Sequence, residues 1–282
     1  MMRVPLILCA STILAVGEAA AFGPGVHAYL AMQVLGPDAH LAVYGAMAAD
    51  LNGAFERHSE VKSAMQRLTH YEFGLLSPSV FAAGFATHNG DWGADGTAHR
   101  YLHTGHTEGW VTDKLKLLSD REGITMFEAE DLYDAALDLM LAQRLGPALG
   151  ELVESSAAQA GPEEEQQLVE AFAAPLAERA NLKPEDAESR IRWAHRSMRQ
   201  VLIVYGRLLA RDRGYQRPIG DFLVARAFGW PPAEARLHLT AALELAEDVV
   251  PQLDALAVAM REQMNGVPAY ADYLVRPLAL AR

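Results

Sequence analysis

Apolar residues recur at three- and four-residue intervals through most of this chain, in segments 28–35, 55–68, 78–87, 132–145, 163–174, 185–211, 218–228 and 232–260. Such positions line one face of a helix with about 3.6 residues per turn, so the pattern predicts helices. No segment alternates apolar and polar residues convincingly over the length of a strand. The expected fold class is therefore all-α, a multi-helix domain. Pro78, Pro162, Pro184 and Pro232 mark four helix starts, because proline's missing N–H costs nothing in a first turn. Short Gly- and Pro-containing loops bridge the helices. Residues 155–165 read as the best candidate for a linker or long loop, and no internal repeat is seen.

The first residues change the expected compartment. Met1-Met2-Arg3, the apolar stretch Val4 to Val16 and the sequence Gly-Glu-Ala-Ala-Ala have the charged start, greasy middle and small-residue exit of a secretory signal peptide. The apolar run is too short to span a bilayer, and no other segment suggests a transmembrane anchor. Cleavage after Ala21 would leave Phe22 as the mature N-terminus, with residues 22–282 as a single exported domain, periplasmic or secreted. Cys9, the sole cysteine, would leave with the leader, so no disulfide is expected. A formal charge of −12 argues against a general polyanion binder and against a stable nucleic-acid partner. Bound divalent cations would offset part of that charge.

Candidate chemistry is concentrated near the start. Eight of the ten histidines (27, 40, 58, 70, 88, 99, 103 and 106) fall in the first 106 residues. The run 87–99 holds His88, Asp91, Asp95 and His99, which an ideal helix would gather into an arc of about 80°. A solvated stripe and a metal-binding face are both open readings of that arc. Phe22-Gly-Pro-Gly-Val-His27 places a histidine five residues beyond the expected terminus, whose free amine would be a second nitrogen donor. Asp50 closes a small-residue apolar stretch, as a helix cap or as a ligand, since an unpaired buried carboxylate is costly. His70 lies among aromatic and apolar neighbours, as a core histidine or a ligand. His195 and His238 read as surface or core residues, and Glu128, Glu130, Asp131 and Asp134 as a solvated face, or as contacts behind the ligating histidines.

In this order, Phe22, His27, Asp50, His70, His88, Asp91 or Asp95, and His99, the chain resembles the zinc-dependent phospholipase C and single-strand-specific zinc nuclease superfamily. Those are all-α enzymes whose mature N-terminal residue is itself a zinc ligand. Ala83-Gly84-Phe85-Ala86-Thr87-His88 resembles the helix that delivers the family's central histidine. The resemblance covers roughly residues 22–115. It departs from the family in three places: phenylalanine replaces the usual tryptophan at the terminus, the helix histidine and aspartate are three (Asp91) or seven (Asp95) apart instead of four, and the closing His-x-x-x-Glu/Asp pair is absent. Asp95, four residues before His99, is favoured as the bridging ligand, with Asp91 close behind. His103, His106, Glu108 and Asp113 are the substitutes available for a third ion, with His106 and Asp113 the pair a helix could bring together.

The resemblance implies two or three zinc ions, two better supported than three, with Asp50 and Asp95 at the catalytic centre. It implies hydrolysis of a phosphodiester by metal-activated water. The ligand types, imidazole and carboxylate without thiolate, suit zinc sites that keep open positions. A phospholipid is the favoured substrate. Tyr71, Phe73, Leu75, Leu76 and Phe81 could supply apolar surface for it, or could be core or lid residues. Trp92, Tyr101 and Trp110 could stack bases in a single-strand nuclease, but no basic groove accompanies them. A helical metal-binding protein without turnover is the reading from a different class.

Overall fold

A computed structural model of the chain describes residues 22–36, 39–56, 58–97 and 110–275. In chain order its helices are α1 (Pro24–Leu35), α2 (His40–Ala48), α3 (Glu60–Tyr71), α4 (Val80–Thr87), α5 (Trp110–Glu122), α6 (Met126–Leu145) and α7 (Pro147–Gln159). They continue with α8 (Pro162–Arg179), α9 (Pro184–Leu209), α10 (Arg213–Phe228), α11 (Pro232–Ala246), α12 (Leu253–Asn265) and α13 (Pro268–Val275). Short 3-10 turns occupy Ala49–Ala54, Phe73–Leu75 and Val250–Gln252. The protein is all-α, with no strand among the described residues. No helix among them is long and apolar enough to cross a membrane.

Helix boundaries follow local chemistry. Ser59 and Ser79 stand just before α3 and α4, and their hydroxyls accept from the amides of Lys62 and Ala82. Thr125 and Glu128 form a reciprocal capping box at the start of α6, satisfying amides that have no partner within the helix. Proline opens α1, α7, α8, α9 and α11.

α2 and α4 form the centre of the packing that holds the site. Residues 42–48 and 81–87 are buried on every face, so these helices have no polar stripe and no amphipathic period. Gly45 and Gly84 let their backbones meet: a Cβ on Gly84 would lie 1.8 Å from the Ala42 carbonyl oxygen, and one on Gly45 would lie 2.1 Å from that of Phe81. α1 packs on α2, and α7 packs on both. Further out, α9 buries Ala187, Ile191, Ala194, Met198, Leu202, Tyr205 and Leu209 along one stripe against α7 and α8.

Several boundaries differ from expectation. α2, α5 and α7 occupy residues for which no helix is predicted, α2 because an apolar sequence without polar positions has no period to read. The expected loop at 155–165 is instead the end of α7 and the start of α8, joined by Ala160 and Gly161 alone. The expected single helix 232–260 is divided after Ala246, and Pro251 sits in the 3-10 turn that precedes α12. Pro78 lies ahead of α4, whose start is set by Ser79.

Candidate metal centre

Five buried side chains from five segments meet at one point: His27 of α1, Asp50 of the 3-10 turn after α2, His70 near the end of α3, His88 just past α4, and Asp95. None is more than 2% exposed. Asp50, His70 and His88 all lie at helix C-terminal ends, where unpaired carbonyl dipoles carry partial negative charge. That field favours a cation.

Asp95 arrives there because the helix does not continue through the 88–99 run. α4 ends at Thr87 and residues 90–93 form a turn before residues 94–97 become helical again. The Asn89 side chain organises this reversal. Its Oδ1 accepts from the amides of Asp91 and Trp92, and its Nδ2 donates to the His70 carbonyl at 2.9 Å, an Asx arrangement that competes with helix. Asp91 is consequently exposed at the turn and does not join the cluster. The arc of four groups expected on a continuous helix is corrected here, because its premise of unbroken helix fails.

The atoms that face one another define two loci. Around the first stand His70 Nε2, His88 Nε2, Asp50 Oδ1 and Asp95 Oδ2, with His70 to His88 at 3.3 Å, His88 to the two carboxylates at 3.3 and 3.4 Å, and His70 to them at 3.6 and 3.4 Å. Four donors at bonds of about 2.0–2.1 Å in a tetrahedron lie about 3.3–3.4 Å from one another. The separations that His70 and His88 make to one another and to the two carboxylates match edges of such a tetrahedron. Around the second locus stand His27 Nε2, Asp50 Oδ2 and Asp95 Oδ1, the histidine 3.8 Å from each oxygen. Each carboxylate turns one oxygen to each locus, as a bridging ligand would. Two triads of these residues, His27–Asp50–His88 and His70–His88–Asp95, each bring donor atoms within 4.8 Å of one another, with His88 common to both.

The histidine ring orientations are fixed from behind. His88 Nδ1 lies 3.0 Å from the Ala46 carbonyl oxygen, which can only accept, so Nδ1 carries a proton and Nε2 is the atom that would offer a lone pair to an ion. Thr69 Oγ1 donates to the Gln66 carbonyl and lies 2.9 Å from His70 Nδ1, which leaves His70 Nε2 as a lone pair too. All four carboxylate oxygens and His27 Nε2 have no hydrogen-bond partner. Facing acceptors without donors are repulsive in a low-dielectric interior.

The protein groups alone relieve this only in part. Burial holds His27 down to about 3 and lowers His70, in each case reinforced by His88. Burial also opposes charge on His88, but Asp50 and Asp95 outweigh it and raise His88 well above its ordinary value. Asp95 is correspondingly lowered, His88 overcoming the burial that would raise it. One proton on His88 against two carboxylates still leaves net negative charge in a nearly dry space. Divalent cations fit the donor set, the spacing and the charge.

Phe22 packs its ring edge-on to His27, with centroids 6.0 Å apart. Asp113 is half-buried in the first turn of α5, outside both loci. His99, His103, His106 and Glu108 lie outside the described residues. His195 is buried with Nδ1 3.6 Å from Glu165, and His238 Nδ1 is 2.8 Å from Glu122. Phe73, Leu76 and Phe81 are core, whereas Tyr71 and Leu75 are exposed.

Glu130, Asp131 and Asp134 are not a solvated face. They are 8%, 5% and 7% exposed, with Asp138 fully buried one turn further along α6. Burial first, then Asp131, Asp95 and Asp50, pushes Glu130 up to about 8. Burial first, then Glu130, raises Asp134 well above the carboxylate range. Their four-residue spacing, 130, 134 and 138, is that of an exposed helical stripe, so the sequence carries no signal of their burial. Compared with protein-family models, with curated proteins and with solved structures, the chain matches none.

Proposed function

We propose that this protein is an exported, metal-dependent phosphodiester hydrolase of phospholipase C type, with zinc at two loci that share Asp50 and Asp95. The observation that carries the reading is the first locus, where two imidazoles stand 3.3 Å apart and each lies 3.3–3.6 Å from two carboxylates, beside a second locus bounded by the other oxygens of the same carboxylates. His70, His88, Asp50 and Asp95 would hold one ion, and His27, Asp50 and Asp95 a second. Two divalent ions held by these residues would supply an activated water and neutralise phosphoryl oxygens in hydrolysis of a phosphodiester. The Ala46 carbonyl and Thr69 keep His88 and His70 in the tautomer and orientation that binding requires. Asp50 and Asp95 hold the charge balance on both sides of the centre.

Two observations favour a lipid phosphodiester over a nucleic acid: the net charge of −12, and the exposed apolar residues Tyr71 and Leu75 directly after His70. The leader-like residues 1–21 support export. The burial of all five donors favours a second reading, a helical protein that holds metal without turnover.

Metal analysis of the purified mature protein, followed by hydrolysis assays on phosphatidylcholine vesicles and on single-stranded DNA with and without chelator, separates these readings. Bound zinc with chelator-sensitive release of phosphocholine is expected. Hydrolysis of DNA alone would reassign the substrate, and stoichiometric metal with neither activity would leave the binding protein.

A further inference from the structure

We propose that Asp138 is a positioning residue for His27, and through it for the second metal locus. The inference rests on the two-locus reading above. α1 begins Gly23-Pro24-Gly25-Val26-His27, and its capping position is a glycine with no side chain to accept from the first turn. Pro24 has no N–H. The His27 amide turns back to the Gly23 carbonyl at 3.1 Å, which leaves the Gly25 and Val26 amides to be satisfied from elsewhere.

Asp138 satisfies both from more than a hundred residues away. Its Oδ2 accepts from the Gly25 amide at 2.8 Å and its Oδ1 from the Val26 amide at 2.7 Å. Tyr205 Oη of α9 donates to Oδ2 at 2.8 Å and fixes the carboxylate in turn. The carboxylate is fully buried and sits on the positive end of the α1 dipole. Its approach requires the glycines: a Cβ on Gly25 would lie 2.8 Å from Asp138 Oδ1, and one on Gly23 would lie 2.6 Å from Oδ2. The residue after Val26 is His27, whose Nε2 reaches Asp50 and Asp95 at 3.8 Å. Thus the start of α1, and with it the reach of His27, is pinned by α6 and α9. The first locus takes no ligand from α1, so the two loci differ in their dependence on this clamp.

Cobalt(II) titration followed by its visible absorption bands and by calorimetry tests the assignment, using the mature protein and its Asp138→Asn and Gly25→Ala variants. The asparagine presents one acceptor where two amides need one each, and the alanine methyl pushes the carboxylate away from an otherwise improved helix. Wild type is expected to bind two ions. Each variant is expected to keep the first at wild-type affinity and to weaken the second by roughly 10- to 100-fold, the usual effect of losing a residue behind a ligand. Two ions bound by a folded Asp138→Asn protein as in wild type would overturn the proposal. Should that variant fail to fold, Gly25→Ala decides the matter by the same criterion. Fewer than two ions in wild type would instead overturn the two-locus reading.

Discussion

Replacing Gly84 by alanine tests how the helix crossing controls the centre. The added methyl carbon would lie 1.8 Å from the Ala42 carbonyl oxygen and 2.5 Å from the Ala42 Cα, where a carbon and an oxygen normally approach no closer than about 3.3 Å. Both obstacles are backbone, so no side chain can rotate away. Relief requires α2 and α4 to part by about 1.5 Å, the difference between that contact limit and the clash. Ala46 lies one turn beyond Ala42, and its carbonyl holds His88 Nδ1 at 3.0 Å. A separation of that size would break the bond. Against this, alanine gains about 1 kcal/mol of helix propensity. Overpacking costs about 1–3 kcal/mol, and the orphaned carbonyl and imidazole about 1–3 kcal/mol more. A net loss of about 1–5 kcal/mol follows, or roughly 2–20 °C in melting temperature for a chain of this size. Thermal unfolding with and without zinc measures it, with zinc affinity expected to fall as well. Gly74→Ala, where a Cβ meets nothing within 4 Å, is the control and should change little. A Gly84→Ala protein that melts with wild type and binds zinc equally well would refute the reasoning.

Three further outcomes follow from the same geometry. Asp95→Asn replaces one of the two facing carboxylate oxygens with an amide nitrogen and removes the charge, and should weaken zinc by roughly a hundredfold or more, whereas Asp91→Asn should match wild type in a competitive-chelator titration. Chelation should lower the melting temperature and zinc at a thousand times its dissociation constant restore it, by about 4 kcal/mol or roughly 8–16 °C; equal melting curves would remove the cations from the fold. Glu130 is held at about 8 against an ordinary value of 4.5, so its contribution to folding is complete below 4.5 and is lost as pH rises through 8. In chelator, the stability of wild type relative to Glu130→Gln should therefore fall over that window, by at most about 1.4 kcal/mol per pH unit. Urea unfolding at pH 5, 6.5 and 8 measures the difference, and a constant gap would count against a buried, protonated Glu130.

What the sequence discloses and what it withholds divide along a physical line. Helices such as α9 are legible because one face meets water and the period survives. α2 is not, because a helix surrounded by protein has no polar side to mark its turns. The same loss of contrast hides the acids of α6. Glu130, Asp134 and Asp138 are spaced like any exposed helical stripe, and only the packing of α1, α9 and α11 against α6 turns that stripe inward. The distinction between Asp91 and Asp95 is of another kind. An ideal helix puts both on one arc, and the choice is made by the Asn89 side chain capturing the amides of Asp91 and Trp92. Asn89-Gly90 is a turn signal that outweighs the periodicity around it.

The burial of so much negative charge gives the centre its direction. Asp50, Asp95, Glu130, Asp131, Asp134 and Asp138 are all at most 8% exposed; among the described residues, Lys62, itself buried, acts on Glu130, and His88 acts on Asp50 and Asp95. Protonation can neutralise Glu130 and Asp134, whose pKa values are raised. It does so less readily for Asp95, which His88 holds ionised, or for Asp138, which burial raises to about 6 against the opposing effect of its three hydrogen bonds. The acids thus separate into those that can carry a proton and those arranged to face a cation or a helix terminus. That separation places the demand for positive charge between Asp50 and Asp95, at the point where three histidine Nε2 atoms already converge.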